Sequence, residues 1–161
     1  MLSPKFILGL LIFILSFHIL ATVNYWYQTY TWLDMPMHFL GGFWVALTYF
    51  WLCQKTRITR RSEIMDADQH ADQREIRDLS DKIRVSSAIM TIIDCLSFVA
   101  LVGVLWEFFE FGYDVFISSK GYSGALQQGV GDTMSDLFFD LLGGLAFLVI
   151  YKYLNTNHSR S

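Results

Sequence analysis

Asp34 and His38 stand four residues apart at the start of an apolar run, and Glu107 and Glu110 three apart near the end of another. Asp132, Asp136 and Asp140 follow at intervals of four around the opening of a third. Residues three or four apart share a helix face, so each run presents a line of polar groups. Asp114 extends the second line if its helix persists past Gly112. A charged side chain at the centre of a membrane helix costs about 2.5 to 3.5 kcal/mol on insertion scales, and less near the ends. Eight of the 15 acidic residues lie in or beside apolar sequence, and this density points to a site.

Several carboxylates in a small space repel one another and need protons, cationic partners or a metal. The only basic side chain near them in sequence is Lys120. The pattern therefore points to raised pKa values or a bound divalent cation. Oxygen-rich ligation fits Mg²⁺, Mn²⁺ or Ca²⁺, while Zn²⁺ or iron would suit ligation by both His38 and His18. Glu107, Glu110, Asp136 and Asp140 are the candidate ligands, with Asp132 a fifth. His38 is a candidate general base or further ligand, oriented by Asp34. The competing reading is structural: the acids cap helices and bond across the bundle, above all Asp132 as an N-cap and Asp114 as a solvated helix end. His18 has the same alternative, an interhelical hydrogen bond. Asp94 lies away from the others, where Thr91, Ser97 or a water could satisfy it, or where it could relay protons.

The elements that must carry these groups are readable from composition. The chain has 161 residues, is 53% hydrophobic and 17% aromatic, and gathers its apolar residues into four blocks. The blocks run over about 6–23, 37–53, 87–111 and 137–153. Each is near the ~20 residues that cross a hydrocarbon core, and each must be helical because lipid offers the backbone no partners. The expected fold is all-α: one multi-pass bundle of four membrane helices. Eight of the 12 Lys and Arg residues fall in 54–84, and Lys5, Lys152 and Arg160 flank the termini. The positive-inside rule then places both termini and 54–84 in the cytoplasm, with the carboxylates on the outer side. An N-terminal signal peptide is the competing reading of the first block.

The 54–84 insert should be a charged, solvated helix. Its Ile76, Leu79 and Ile83 form a thin stripe that could meet the inner leaflet, a second copy or a cytoplasmic partner. The aromatic residues Tyr25, Trp26, Tyr27, Tyr30 and Trp32 suit the headgroup region. The outer connection 112–131, with glycines and serines, suits a mobile loop that could act as a lid or simply connect. Gly41, Gly42, Gly143 and Gly144 thin two helices just below their acids, which favours close packing. Cys53 and Cys95 have no metal-ligand pattern and suit packing.

The blocks Asp34-Met-Pro-Met-His38-Phe-Leu-Gly-Gly42, Trp106-Glu-Phe-Phe-Glu110 and Gly131-Asp-Thr-Met-Ser-Asp136-Leu-Phe-Phe-Asp140-Leu-Leu-Gly143 together resemble the signature blocks of the YjdF-like inner-membrane family. The resemblance implies a cell inner-membrane protein with Asp34, His38, Glu107, Glu110, Asp132, Asp136 and Asp140 as site residues, and implies no reaction. The chain departs from that pattern in its long charged insert and in a wider Asp132–Asp136 spacing. A fainter resemblance to VanZ-like membrane proteins rests on the Asp34–His38 step.

The leading expectation is a membrane enzyme with a carboxylate-held metal acting on a lipid or lipid-linked substrate. A cation- or proton-coupled transporter and a membrane scaffold are the alternatives. The usual nucleophile motifs and phosphate-binding glycine loops are missing, and nothing points to nucleic acid.

Overall fold

The computed structural model describes residues 3–64, 73–121 and 124–158, with side chains described over 3–53, 89–121 and 124–154. Five helices occur in the order α1 (Pro4–Val23), α2 (Trp26–Thr29), α3 (Asp34–Ile64), α4 (Gln73–Phe116) and α5 (Val130–His158), and the described residues form no strand. Single 3-10 turns at Thr31–Leu33 and Ser118–Lys120 complete the described elements. Segments Pro4–Val23, Ile89–Lys120 and Val130–Leu154 are long and apolar enough to cross a membrane.

The helices outrun the apolar blocks at their ends because backbone hydrogen bonding continues into polar sequence. Pro4 occupies the first turn of α1 and Pro36 the first turn of α3, where an absent N–H leaves no intrahelical bond unmade. Helix α4 does continue past Gly112 to Phe116. Helix α5 starts at Val130, ahead of the apolar block, so Asp132 is its third residue and not its N-cap. The backbone is helical over 54–64 and 73–88. Residues 65–72 and the Ile76, Leu79 and Ile83 side chains lie outside the described residues.

Helices α3 and α5 run in the same direction, with His38 beside Asp140 at one end and Phe50 beside Tyr151 further along. Helix α4 runs the opposite way against both, setting Phe98 beside Tyr49. Helix α1 leans on α3, and the Trp44 indole N–H donates to the Ile7 carbonyl at 2.8 Å. The α3–α5 approach depends on two glycines. A β-carbon at Gly42 would collide with the Asp140 backbone, and one at Gly143 with the Phe39 carbonyl. Any larger residue would separate the backbones, which is how small residues drive helix association in lipid. Beneath this crossing Val45, Ala46, Leu47, Cys95, Val99 and Phe147 form a closed apolar core.

At the opposite end from 54–64 and 73–88, the connections fold inward. Tyr25 takes a left-handed backbone conformation (φ 59°) where the chain turns from α1 into α2. Tyr27 is only 1% exposed and packs with Ala21, Met37 and Leu126, so it is a core residue and not a headgroup anchor. Tyr25, Tyr30 and Trp32 are exposed. The Gly124–Gly129 part of the outer connection is tied down: Leu126 is buried, and the Gln28 side chain donates to the Ala125 carbonyl.

Candidate functional site

Six of the seven sequence-nominated residues are buried: Asp34, His38, Glu107, Glu110, Asp136 and Asp140. Antiparallel α4 brings its C-terminal half to the N-terminal turns of α3 and α5. Helical spacing then turns each polar stripe inward, because the apolar residues between them cover the lipid-facing sides. Phe108, Phe109, Phe111, Phe138 and Leu141 occupy those outer faces.

His38 stands at the centre. Its Nδ1 lies 3.4 Å from Asp140 Oδ2, within hydrogen-bonding geometry, and its Nε2 lies 3.6 Å from Asp34 Oδ1. Asp140, on α5, is therefore the imidazole's hydrogen-bond partner, in the orienting position that sequence spacing suggested for Asp34. Among the described residues, His38 is the only basic group in an ion pair with these acids.

Potential ligand atoms gather in two overlapping sets. Asp34, His38 and Asp136 form one, Glu107, Glu110 and His38 the other, with the donor atoms of each set within 4.8 Å of one another. Glu110 accepts a 2.8 Å hydrogen bond from the Trp106 indole through Oε1. Glu107 accepts a 3.2 Å bond from the Gln127 amide through Oε2, whereas its Oε1 is buried with no hydrogen-bond partner among the described residues. An unpartnered carboxylate oxygen in a dry interior is costly, and a cation placed among these donors would satisfy it.

The remaining acids divide. Asp132 is half-buried and outside both sets, and its Oδ2 accepts the Gln128 backbone N–H at 2.9 Å, a capping-type contact at the start of α5. Asp114 accepts the backbone N–H groups of Leu126 and Gln127 at 2.8 and 2.9 Å. It anchors the segment above the cluster. Asp94 is exposed on the outer surface of the bundle. His18 is outside the ligand sets; its Nδ1 lies 2.9 Å from the Tyr27 hydroxyl and its ring meets Trp106 edge to face. Burial raises the Tyr27 phenol's pKa.

Spacing did not nominate Gly103 or Gln127. A β-carbon at Gly103 would strike Asp140 Oδ2, so this glycine opens the notch that holds the carboxylate. Gly103 lies four residues before Glu107, and a small residue on the acidic face was the available signal. Gln127 belongs to a connection and carried none.

Below His38 a cavity of about 130 Å³ extends between α1, α3 and α4, with His18, Asp34, His38 and Asp140 at its polar end. Apolar side chains and glycines line most of the rest.

The family model described as "Predicted membrane protein (DUF2238)" matches residues 2–157. No curated protein and no solved structure matches the chain.

Proposed function

The chain belongs to this DUF2238 family of predicted membrane proteins, and from that premise we propose that it is a membrane enzyme whose His38-centred cluster holds a divalent metal. Its substrate in this reading is a lipid or lipid-linked molecule. The observation that carries the proposal is Glu107 Oε1, buried without a partner among the described residues, in a residue that shares a ligand set with His38 and Glu110. A divalent cation is the simplest group that would satisfy that oxygen and offset four neighbouring carboxylates together.

Asp34, His38 through Nε2, Glu107, Glu110 and Asp136 are the ligands in this reading. Asp140 is a positioning residue that holds Nδ1 and so turns Nε2 towards the ion, the usual carboxylate–imidazole–metal arrangement. One imidazole among carboxylates favours Mg²⁺, Mn²⁺ or Ca²⁺ over Zn²⁺ or iron, and His18 is engaged elsewhere with Tyr27. When bound, such an ion supplies polarisation of a phosphoryl or carbonyl oxygen, or activation of water. Gln127 and Asp114 keep the 124–129 segment over the ligands and limit bulk water.

The proposed setting is a cell inner membrane, with α3 as a fourth span, both termini cytoplasmic and the cluster on the outer side. The YjdF-like character of the three blocks belongs to the same reading. Transport is less well supported, because an apolar core that includes Leu47, Cys95 and Phe147 lies below the cluster and Asp94 is exposed on the bundle surface, away from it.

Elemental analysis of the purified full-length protein tests the proposal. Stoichiometric divalent metal is expected in the wild type, with loss in Glu110→Ala and Asp136→Ala at unchanged helical content. Wild-type protein that stays metal-free after exposure to Mg²⁺, Mn²⁺ and Ca²⁺ would overturn it.

A further inference from the structure

We propose that the cavity between α1, α3 and α4 takes the head-proximal few methylenes of one hydrocarbon chain of the substrate, drawn sideways from the bilayer, with the molecule's oxygen-bearing head at His38 and the rest of the chain left in the bilayer. The inference deepens the enzyme reading and rests on it for the position of the head. Its own basis is the shape and lining of the cavity.

The cavity changes character along its length. At the top are His18, Asp34, His38 and Asp140. Further down, Leu11, Ile14 and Leu15 line it from α1, and Val45, Val99 and Val102 from α3 and α4. From His38 to Val45 the helix advances seven residues, on the order of 10 Å. An apolar-walled void is a poor site for water and a good one for hydrocarbon. Gly41, Gly42 and Gly103 border the void at its polar end, where their bare backbones let Asp140 approach.

Entry is built into the packing. Among the described residues, helix α1 leans on α3 and makes no comparably extensive contact with α4 or α5. His18 and Trp106 meet edge to face at a centroid distance of 5.2 Å, bridging α1 and α4 near the polar end. Below that bridge the α1–α4 side is the route by which a chain already in the leaflet reaches the slot without crossing water. Since the chain leaves one hydrocarbon environment for another, little hydrophobic gain accompanies the move. Selectivity then comes from packing in the slot and from the head at the cluster, which suits one chain and not a pair side by side.

The test uses the whole protein in phosphatidylcholine vesicles carrying trace palmitic acid with a diazirine within the first few carbons of its head. A second arm carries the same chain esterified in phosphatidylcholine. After irradiation, adducts are mapped by peptide mass spectrometry. Adducts at Leu11, Ile14 or Val102 are expected with at least one probe, and the productive probe distinguishes a free carboxylate head from a phospholipid head. Ile14→Trp, which fills the slot from α1, should lower the other cavity adducts roughly tenfold while leaving those at lipid-facing Phe13 and Leu105 unchanged. Adducts confined to lipid-facing residues with both probes in the wild type would overturn the inference. So would cavity adducts that persist in a folded Ile14→Trp protein. Metal analysis on the same samples separates the two ideas: full metal content without cavity adducts removes the slot alone, and cavity adducts on metal-free protein remove the enzyme reading alone.

Discussion

Gly103 of α4 faces Asp140 of α5 so closely that a β-carbon at position 103 would land on Asp140 Oδ2, the oxygen that also accepts from His38 Nδ1. One hydrogen atom in place of a methyl group thus holds the imidazole's partner in position. Gly103→Ala should displace the carboxylate and cost about 1–3 kcal/mol through overpacking. A lowered melting temperature in vesicles, together with weaker binding of Mn²⁺ by titration calorimetry, is the expected result.

Asp140 holds His38 from across the bundle. Removal of an outer carboxylate behind a ligating histidine typically lowers metal affinity by about 10–100-fold. Asp140→Asn should fall at the mild end of that range, since the amide oxygen still accepts from Nδ1, and Asp140→Ala at the severe end. Equal, unaltered affinities in both variants would rule out the positioning role.

Glu107 Oε1 has no hydrogen-bond partner among the described residues. Replacing the carboxylate with the neutral amide of Glu107→Gln lowers the anionic crowding in metal-free protein but removes a ligand. The metal-free variant should therefore melt no lower than wild type. Saturating Mn²⁺ should stabilise wild type by about 2.7 kcal/mol at a hundredfold excess over Kd, and the variant by clearly less. Thermal melts with and without EDTA check both halves.

Asp114 gathers two backbone N–H groups of the covering segment. Hydrogen bonds to a charged acceptor contribute about 1.5–3 kcal/mol. Asp114→Ala should therefore speed amide exchange at Leu126 and Gln127 by at least tenfold while exchange in the α3–α5 contact stays slow. Hydrogen–deuterium exchange mass spectrometry reads both regions in one experiment.

Much of this arrangement could be derived from residue order alone. Long apolar runs demand helices in lipid, so the all-helical fold follows from composition. Spacing of three and four placed Glu107 with Glu110 and Asp136 with Asp140 on common faces, and the glycine pairs marked the contact between α3 and α5. Periodicity, however, defines a face without defining what stands opposite it. Asp34 was the natural partner for His38 by spacing, yet rotation of α5 about its axis brings Asp140 to Nδ1. Asp132 shares the stripe of Asp136, but its place one turn nearer the helix start directs it to the Gln128 N–H.

Sequence by itself determined which segments are helices and which of their faces carry acid, because both follow from local hydrogen bonding and a 3.6-residue repeat. Only the tertiary structure decided the partner of each carboxylate, the burial of Tyr27, the notch at Gly103 and the return of Gln127 over Glu107. Those features depend on how helices rotate and cross and on where a connection docks, and such contacts join residues far apart in the chain.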